Sequence, residues 1–199
     1  MDKIKIAVTG GIGSGKSTAL KILKELGGDT FSCDEIYKEI FRSDDYIKKV
    51  GTLFSTALKN NQIDREILSK LVFQNHENRK KLNELAHPLI MRELYNQMEK
   101  SENKLVFAEV PLLFEENLEA KFDKVIVIVR EKSARIQSVK ERDGLSQEKI
   151  EERMRAQFSY DLEEGKKRMQ AINAFVIDNV SVAQMRIDLQ NIFNALSHL

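Results

Sequence analysis

Apolar residues at the start of the chain follow first a strand-like and then a helical pattern. Residues 4–8 are a short apolar run rich in β-branched side chains, and Thr9-Gly10-Gly11 ends it. This pattern predicts a buried strand. The next apolar positions recur at helical spacing and stop at Gly27-Gly28: Ala19, Ile22, Leu23 and Leu26. The chain is therefore predicted to begin with a strand, a glycine-rich loop and a helix.

Residues 35–101 have a mainly helical pattern. Asp64 is predicted to cap a helix, and the apolar stripe behind it is Ile67, Leu68, Leu71 and Val72. Pro88 suits the first turn of a helix, because proline lacks the N–H that a helix interior requires. We therefore predict that one helix ends near His87 and that a new helix begins at Pro88.

Two later segments are apolar throughout. Leu105–Val110 is ended by Pro111, and Lys124–Val129 has no alternation of polar and apolar residues. Strands of this kind are buried on both faces, as they are in a parallel sheet. Two more short strands are predicted. The first, at Thr30–Cys33, is the second strand of the chain, and the other, at Phe175–Ile177, is the last.

The remaining pattern is helical. Residues 132–170 are charged and predicted to be helical, with an interruption at Asp143-Gly144. Ser181 and Gln184 form a capping box before a final helix. Strands that alternate with helices predict an α/β fold with a doubly wound parallel sheet, and the helical insert between the second and third strands is predicted to pack as a subdomain.

Composition narrows the possible functions. The chain has 199 residues, 42% of them hydrophobic, and a net charge of +1. Proteins that follow nucleic acid along one face are usually more basic, so no nucleic-acid partner is predicted. The single cysteine, Cys33, excludes an intramolecular disulfide, and three scattered histidines have no metal-ligand spacing. No apolar run is long enough to span a bilayer or to act as a secretory signal, so a cytoplasmic protein is expected.

The glycine-rich loop carries the most specific motif. Residues 10–17 read Gly-Gly-Ile-Gly-Ser-Gly-Lys-Ser and fit the P-loop pattern G-x-x-x-x-G-K-[ST], between a predicted strand and a predicted helix. Glycines allow successive N–H groups to point at phosphate oxygens, and the helix N-terminus favours negative charge. Lys16 is predicted to reach the β- and γ-phosphates, Ser17 to ligate Mg²⁺ and Thr18 to donate to the α-phosphate. The predicted ATP-binding residues of the loop are Gly11, Gly13, Ser14, Gly15, Lys16, Ser17 and Thr18.

Motifs elsewhere in the chain restrict the class of reaction in which the bound nucleotide could take part. A GTPase requires an N-K-x-D motif, yet Asn103-Lys104 is followed by Leu105-Val106. No glycine has an aspartate three residues before it, so the D-x-x-G switch is also missing. Among the functions of P-loop proteins considered, phosphoryl transfer to a small molecule is the one that remains.

Asp34 is the candidate acceptor-side carboxylate. It follows the short segment predicted as the second strand, whose carboxyl end lies beside the P-loop in a doubly wound sheet. There it could accept a proton from the acceptor hydroxyl and organise the waters of Mg²⁺. The alternative is that Asp34 only caps the helix at 35–41. The pattern alone does not separate these two roles.

Several arginines follow the central strands. Arg135 and Arg142 are seven residues apart and share one helix face, while Arg153 and Gln157 form an i, i+4 pair. Arginines on a mobile helical arm would neutralise charge on the transferring phosphoryl group. Spacing alone favours the alternative, a solvated charged face. Glu109 ends an apolar strand, where an acidic residue could order Mg²⁺ through water, or could simply face solvent.

The chain resembles the dephospho-coenzyme A kinase family over nearly its whole length. The resemblance rests on residues 9–18, on Cys33-Asp34-Glu35-Ile36, and on the following further segments: Ile63-Asp64-Arg65, Leu71-Val72-Phe73, His87-Pro88-Leu89-Ile90, Val110-Pro111-Leu112-Leu113-Phe114-Glu115, Arg142-Asp143-Gly144, Arg153 to Gln157, and Ile177-Asp178-Asn179. The family usually has Asp-Ala-Asp where this chain has Ser32-Cys33-Asp34. Many members have aspartate at the position of Glu109.

The resemblance implies a fold, a reaction and roles for residues. The fold would be a P-loop kinase with a five-stranded parallel core (about 1–34, 103–131 and 171–199), a helical acceptor-binding insert (about 35–102) and a helical lid (about 132–170). ATP would phosphorylate the ribose 3′-hydroxyl of dephospho-coenzyme A, with Mg²⁺ as cofactor. Implied site residues are Asp34, Lys16 and Arg142 for catalysis, Arg135, Arg142 and Arg153 in the lid, Asp34, His87 and Arg65 at the acceptor, and Asn179 near adenine.

Two alternatives remain open at this point. The first is a P-loop kinase that phosphorylates another small alcohol or a nucleotide. The second is a nucleotide-dependent switch without enzymatic activity, against which the missing GTPase motifs count. No oligomeric state is predicted.

Overall fold

The structure, a computed structural model, describes residues 3–198 and is built on a five-stranded parallel sheet with helices on both sides. The strands are β1 (Ile4–Thr9), β2 (Asp29–Ser32), β5 (Leu105–Glu109), β6 (Lys124–Val129) and β7 (Phe175–Asp178). Their order across the sheet is β2-β5-β1-β6-β7. The predicted fold class is therefore confirmed.

The central strands are buried on both faces. In β1, Ile6, Ala7 and Val8 are all fully buried, and β5 and β6 are buried over most of their length. Ile6 and Val8 pack with helix α1 (Lys16–Glu25) and helix α9 (Val182–Ser197) in one continuous core. Burial on both faces explains why these strands show no polar alternation.

Nine helices are present among the described residues: α1, α2 (Cys33–Ile40), α3 (Asp44–Leu53), α4 (Arg65–Gln74), α5 (His76–Lys100), α6 (Lys132–Asp143), α7 (Gln147–Arg155), α8 (Glu163–Ala171) and α9. The chain divides into two compact units. One consists of Met1–Phe31 with Met98–Leu199 and contains the glycine-rich loop. The other, Ser32–Gln97, has its own core, centred on Tyr46, Val50 and Leu68.

The predicted helix break near His87 is wrong, because α5 continues through Pro88. A proline inside a helix removes one hydrogen bond and costs about 3 kcal/mol. The apolar stripe of α5, however, runs across the proline into the core of the Ser32–Gln97 unit: Leu82, Leu85, Ala86, Leu89 and Ile90. Burial of that stripe on both sides of Pro88 offsets the local cost and keeps the helix whole.

A small hairpin also departs from the predicted helical pattern. β3 (Leu58–Lys59) and β4 (Gln62–Ile63) pair antiparallel across Asn60 and Asn61, whose φ values are +50° and +58°. Positive φ at both loop residues is typical of a type I′ turn, which asparagine tolerates better than most residues.

Candidate active site

The loop between β1 and α1 has the curled backbone of a phosphate-binding loop. Gly13 and Gly15 have φ values of +77° and +104°, and α1 begins directly afterwards at Lys16. Lys16 Nζ donates hydrogen bonds to the carbonyl oxygens of Gly10 (2.8 Å) and Gly11 (3.2 Å). The ammonium group therefore lies over the loop, where phosphate oxygens would replace these carbonyls.

Side chains from outside the loop hold its carbonyl groups. Arg135 Nε donates to Ile12 O at 2.9 Å, and Asn179 Nδ2 donates to Ser14 O at 2.7 Å. Arg130 Nη1 donates to the intervening Gly13 O at 3.4 Å. Since C=O and N–H point in opposite directions across a trans peptide bond, holding these carbonyls outward turns the following N–H groups toward the inside of the loop.

The amide group of Ile12 has a partner of its own. Gln157 Oε1, just after α7, accepts a hydrogen bond from Ile12 N–H at 2.8 Å. The prediction that Gln157 pairs with Arg153 on one helix is wrong, because α7 ends at Arg155. No sequence pattern singles out Arg130. No motif identifies a main-chain contact of this kind, because both residue types are ordinary on protein surfaces.

The loop glycines are required by close packing as well as by conformation. A Cβ atom on Gly13 would lie 2.6 Å from the carbonyl oxygen of Arg135, and one on Gly15 would lie 2.5 Å from Asn179 Nδ2. On Gly11, it would collide with the guanidinium group of Arg135. The side chains that hold the loop thus pack directly against it.

Arg135 and Tyr160 form a buried polar layer behind the loop. Arg135 is only 8% exposed, and burial lowers the pKa of its guanidinium group while the Asp161 carboxylate opposes that shift. The Tyr160 hydroxyl lies 3.3 Å from Thr9 Oγ1, and burial raises the pKa of Tyr160 to about 12. Both side chains therefore keep their hydrogen-bonding protons near neutral pH.

A cavity of about 580 Å³ lies within the same unit. Arg130, Glu131 and Lys132 line one part of it, and Asp178, Asn179 and Val180 line another. Asn179 therefore contacts both the glycine-rich loop and this cavity. The predicted place of Asn179 near adenine stays a prediction, but the cavity offers space beside the loop for part of a nucleotide.

The Ser32–Gln97 unit has a cavity of about 460 Å³ that brings together Asp34 and Arg65, two of the predicted acceptor residues. Tyr37, Lys38 and Phe41 also line it, and the Arg65 guanidinium lies 4.6 Å from the centre of the Phe41 ring. The third predicted residue, His87, is half-buried in α5 and is not among the residues that line this cavity.

The alternative role of Asp34 as a helix cap is wrong. The N-cap of α2 is Ser32, whose side chain accepts a hydrogen bond from Glu35 N. Asp34 is an exposed residue in the first turn of α2. Its carboxylate is thus available at the cavity instead of being used by the backbone.

The three arginines of the predicted lid lie in different surroundings. Arg135 is bonded to the glycine-rich loop, whereas the Arg142 side chain is 62% exposed and pairs with both carboxylate oxygens of Asp143. Arg153 is exposed in the last turn of α7. Arg142 and Arg153 both lie close enough to Asp143 to lower the pKa of its carboxyl, chiefly through the hydrogen bond from Arg142. The predicted contacts of the three arginines with phosphate stay predictions.

Possible metal ligands are sparse in residues 3–198. Within this range, the structure contains no group of three or more His, Cys, Asp or Glu residues arranged to hold a metal ion. Ser17 is exposed in the first turn of α1. Glu109 is half-buried at the end of β5, in register with Val8 of β1. Hydroxyl and carboxylate oxygens of this kind are ligands that hard divalent cations prefer.

Comparison with known proteins identifies the family. The family model described as dephospho-CoA kinase matches residues 4–184. The chain belongs to the dephospho-CoA kinase family. A dephospho-CoA kinase from Protochlamydia amoebophila is 35% identical, with 96% of each chain covered, and one from Fusobacterium nucleatum is 34% identical, with 77% of this chain and 81% of the other covered. The predicted kinase activity and the predicted family are confirmed.

Solved structures of family members and of other kinases share this fold. The dephospho-CoA kinase from Campylobacter jejuni has a TM-score of 0.70 and 34% identity, and covers 98% of this chain and 97% of its own. Shikimate kinase from Bacteroides thetaiotaomicron has a TM-score of 0.57 at 13% identity, covering 98% of each chain, which shows a shared P-loop kinase fold and no more. Among the described residues, no helix is long and apolar enough to cross a membrane.

Proposed function

We propose that this dephospho-CoA kinase family member transfers the γ-phosphoryl group of ATP to the ribose 3′-hydroxyl of dephospho-coenzyme A, releasing ADP and coenzyme A. The observation that carries the proposal is the loop of residues 10–17, whose carbonyls are held outward while Lys16 lies across it. Such a loop binds the phosphates of a nucleoside triphosphate through N–H groups and a lysine point charge.

On the donor side, Lys16 neutralises charge that spreads over the β- and γ-phosphates during transfer. This interaction strengthens toward the transition state, so it accelerates the reaction as well as binding ATP. The Ser17 hydroxyl would hold Mg²⁺, and the Glu109 carboxylate would accept hydrogen bonds from its waters. When bound there, Mg²⁺ would offset part of the negative charge of the phosphates.

On the acceptor side, the 460 Å³ cavity matches the chemistry of dephospho-coenzyme A. Arg65 and Lys38 provide positive charge for phosphate, while Phe41, Leu68 and Val72 provide an apolar wall for the rest of the molecule. We assign Asp34 as the general base. The 3′-oxygen attacks the γ-phosphorus, its proton passes to the Asp34 carboxylate, and the bond from the γ-phosphorus to the bridging oxygen of ADP breaks.

The decisive experiment compares acceptors at saturating MgATP. Dephospho-coenzyme A, AMP, adenosine and a simple alcohol are offered in turn, and release of ADP and formation of the phosphorylated product are followed. We expect the highest kcat/KM with dephospho-coenzyme A and phosphorylation at its 3′-oxygen. A higher kcat/KM with another acceptor would favour the alternative kinase, and nucleotide binding without any transfer would favour a switch.

Lys16→Ala is the control for this assay. Lys16 is half-buried at the start of α1, where its Nζ bonds to the carbonyl oxygens of Gly10 and Gly11. Loss of these hydrogen bonds is expected to lower the melting temperature by only a few degrees, so the variant should still fold. Its turnover is expected to fall by at least about a hundredfold, because several kcal/mol of charge stabilisation are lost in the active site. Near-normal turnover would refute the role of the loop.

A further inference from the structure

Both backbone groups of Ile12 are bonded to the segment predicted as the lid. The Ile12 carbonyl accepts from Arg135 on α6, and the Ile12 N–H donates to Gln157 after α7. The two distances, 2.9 Å and 2.8 Å, are those of well-formed hydrogen bonds. One residue of the glycine-rich loop is therefore held from both sides by side chains that follow it by more than a hundred positions.

These two bonds restrict the backbone of Ile12. The N–H group reports the orientation of the peptide before its Cα atom, and the C=O group reports the orientation of the peptide after it. Holding both limits φ and ψ of Ile12 together. The N–H of Gly13 belongs to the same planar peptide as the Ile12 carbonyl, so its orientation depends on how that peptide is set. Rotation at Ile12 would turn that N–H away from the phosphates.

We propose that Gln157 is a positioning residue for nucleotide binding: it sets the glycine-rich loop through Ile12 N–H and so joins the end of α7 to the phosphate site. The inference rests on the proposed function only in that the loop binds the phosphates of ATP. Gln157 does not touch the nucleotide; it orders the loop that does. We therefore expect Gln157 to affect the affinity for both ATP and ADP, since both nucleotides would place their β-phosphate in this loop.

Comparison with another glutamine of the same segment shows why Gln157 differs from a surface side chain. Gln147 is exposed and bonds to Glu151, one turn along its own helix. Gln157 is half-buried and bonds to a main-chain group 145 positions away. Ordering a glutamine side chain costs rotamer entropy, and only a well-made hydrogen bond offsets that cost.

The test compares Gln157→Met with Gln147→Met. Methionine keeps the length of the side chain and removes its hydrogen-bonding groups. The readouts are the dissociation constant of ADP by calorimetry and the melting temperature without nucleotide. We expect Gln157→Met to weaken ADP binding about three- to tenfold, as loss of one hydrogen bond implies, and Gln147→Met to leave it unchanged. Equal ADP affinities for wild type and Gln157→Met would overturn the inference, and a fall in melting temperature without a change in affinity would leave Gln157 a structural tether.

Ile12→Pro shows whether the effect passes through Ile12 N–H. Proline removes the donor, so Gln157→Met should add nothing in an Ile12→Pro background. Independent, multiplicative losses of ADP affinity would overturn the assigned route. If Ile12→Pro fails to fold, the comparison of the two glutamine variants decides alone. Failure of the wild-type protein to bind ADP would refute the proposed function instead, so the two failures are distinguishable.

Discussion

The side-chain amide of Asn179 donates a hydrogen bond to the carbonyl oxygen of Ser14 at 2.7 Å, inside the protein. Asn179 is only 9% exposed, and a Cβ atom on Gly15 would lie 2.5 Å from its Nδ2 atom. This bond directs the Ser14 carbonyl outward and the next N–H group inward. The end of β7 thus helps to shape a loop that follows β1.

Asn179→Asp is expected to damage both folding and nucleotide binding. The carboxylate has the same shape but cannot donate, so it places an acceptor and a negative charge against the Ser14 carbonyl. Loss of a buried hydrogen bond costs about 1–3 kcal/mol, or several degrees of melting temperature. ADP affinity should fall by about tenfold or more. Asn191→Asp, at an exposed position of α9, is the matched control and should change neither measurement.

Asp34→Asn tests the proposed general base. We expect kcat to fall about 10²–10⁴-fold while KM for ATP changes little, because the amide cannot accept the proton. Since Ser32 caps α2, the melting temperature should stay close to that of the wild type. A variant that retains its turnover would remove Asp34 from the reaction. Ser32→Ala is the complementary control, and should lower stability and leave the chemical step intact.

Gly13→Ala is expected to abolish tight nucleotide binding. The added Cβ atom would lie 2.6 Å from the backbone oxygen of Arg135, which cannot move as a flexible side chain can. Gly144→Ala is a matched control, because Gly144 also has positive φ, at +65°, and has nothing within 4 Å of the added atom. Calorimetry with ADP should show a loss of at least about tenfold for the first variant and none for the second. Equal affinities would mean that the loop tolerates the collision.

Substitution of Arg142 tests whether this residue belongs to a catalytic lid or to a solvent-exposed charged face. Its side chain is 62% exposed and pairs with Asp143, and such pairs contribute about 0–1 kcal/mol, so Arg142→Ala should barely change the melting temperature. If Arg142 contacts the transferring phosphoryl group, Arg142→Lys and Arg142→Ala should both lower kcat strongly, since an ammonium group cannot replace the planar fork. Wild-type kcat in both variants at saturating substrates would assign Arg142 to the surface and move the prediction to Arg135 or Arg153.

Glu131→Gln tests a pH-dependent contribution to stability. Glu131 caps α6, and hydrogen bonds from Ser133 and backbone N–H groups lower its pKa from 4.5 to about 2. A carboxyl whose folded pKa is lowered stabilises the protein fully above its unfolded pKa and loses that effect as pH falls through the folded value. Thermal melts should therefore show the largest difference from wild type above pH 4.5 and a shrinking difference toward pH 2. Glu152→Gln, at an exposed position of α7, is the matched control for removing a surface carboxylate and should leave the melting temperature close to that of the wild type.

Local sequence patterns predicted the elements that shape the phosphate site. β1, α1, β5 and β6 follow from unbroken apolar runs and helical spacing, since burial of these segments dominates their conformation. The P-loop motif likewise predicted Lys16 and Ser17. The predicted strands and helix and the predicted P-loop all depend on residues that are close in sequence, where the spacing of residues defines the geometry.

The predictions that failed concern residues whose structure is determined by contacts with parts of the chain far away in sequence. Pro88 lies inside a helix because the core of the Ser32–Gln97 unit buries the apolar stripe on both sides of it. Gln157 and Arg130 hold the glycine-rich loop from 145 and 117 positions away, and nothing near them in sequence points to that contact. Arg135 was expected on a charged helix face, yet main-chain bonding to Ile12 takes it into the interior.

The strand order has a consequence for how the chain acquires its structure. β1 lies in the middle of the sheet, and both of its neighbours, β5 and β6, come from far along the chain: Ile4 pairs with Leu105 and Ile6 with Lys124. During synthesis, the first strand must wait for roughly a hundred residues before either partner exists, and closing so long a loop is slow. The helices between them make mostly local contacts and can form earlier. The nucleotide site is thus expected to be among the last parts of the molecule to mature, and an unpaired β1 is the segment of the nascent chain that most needs protection from aggregation.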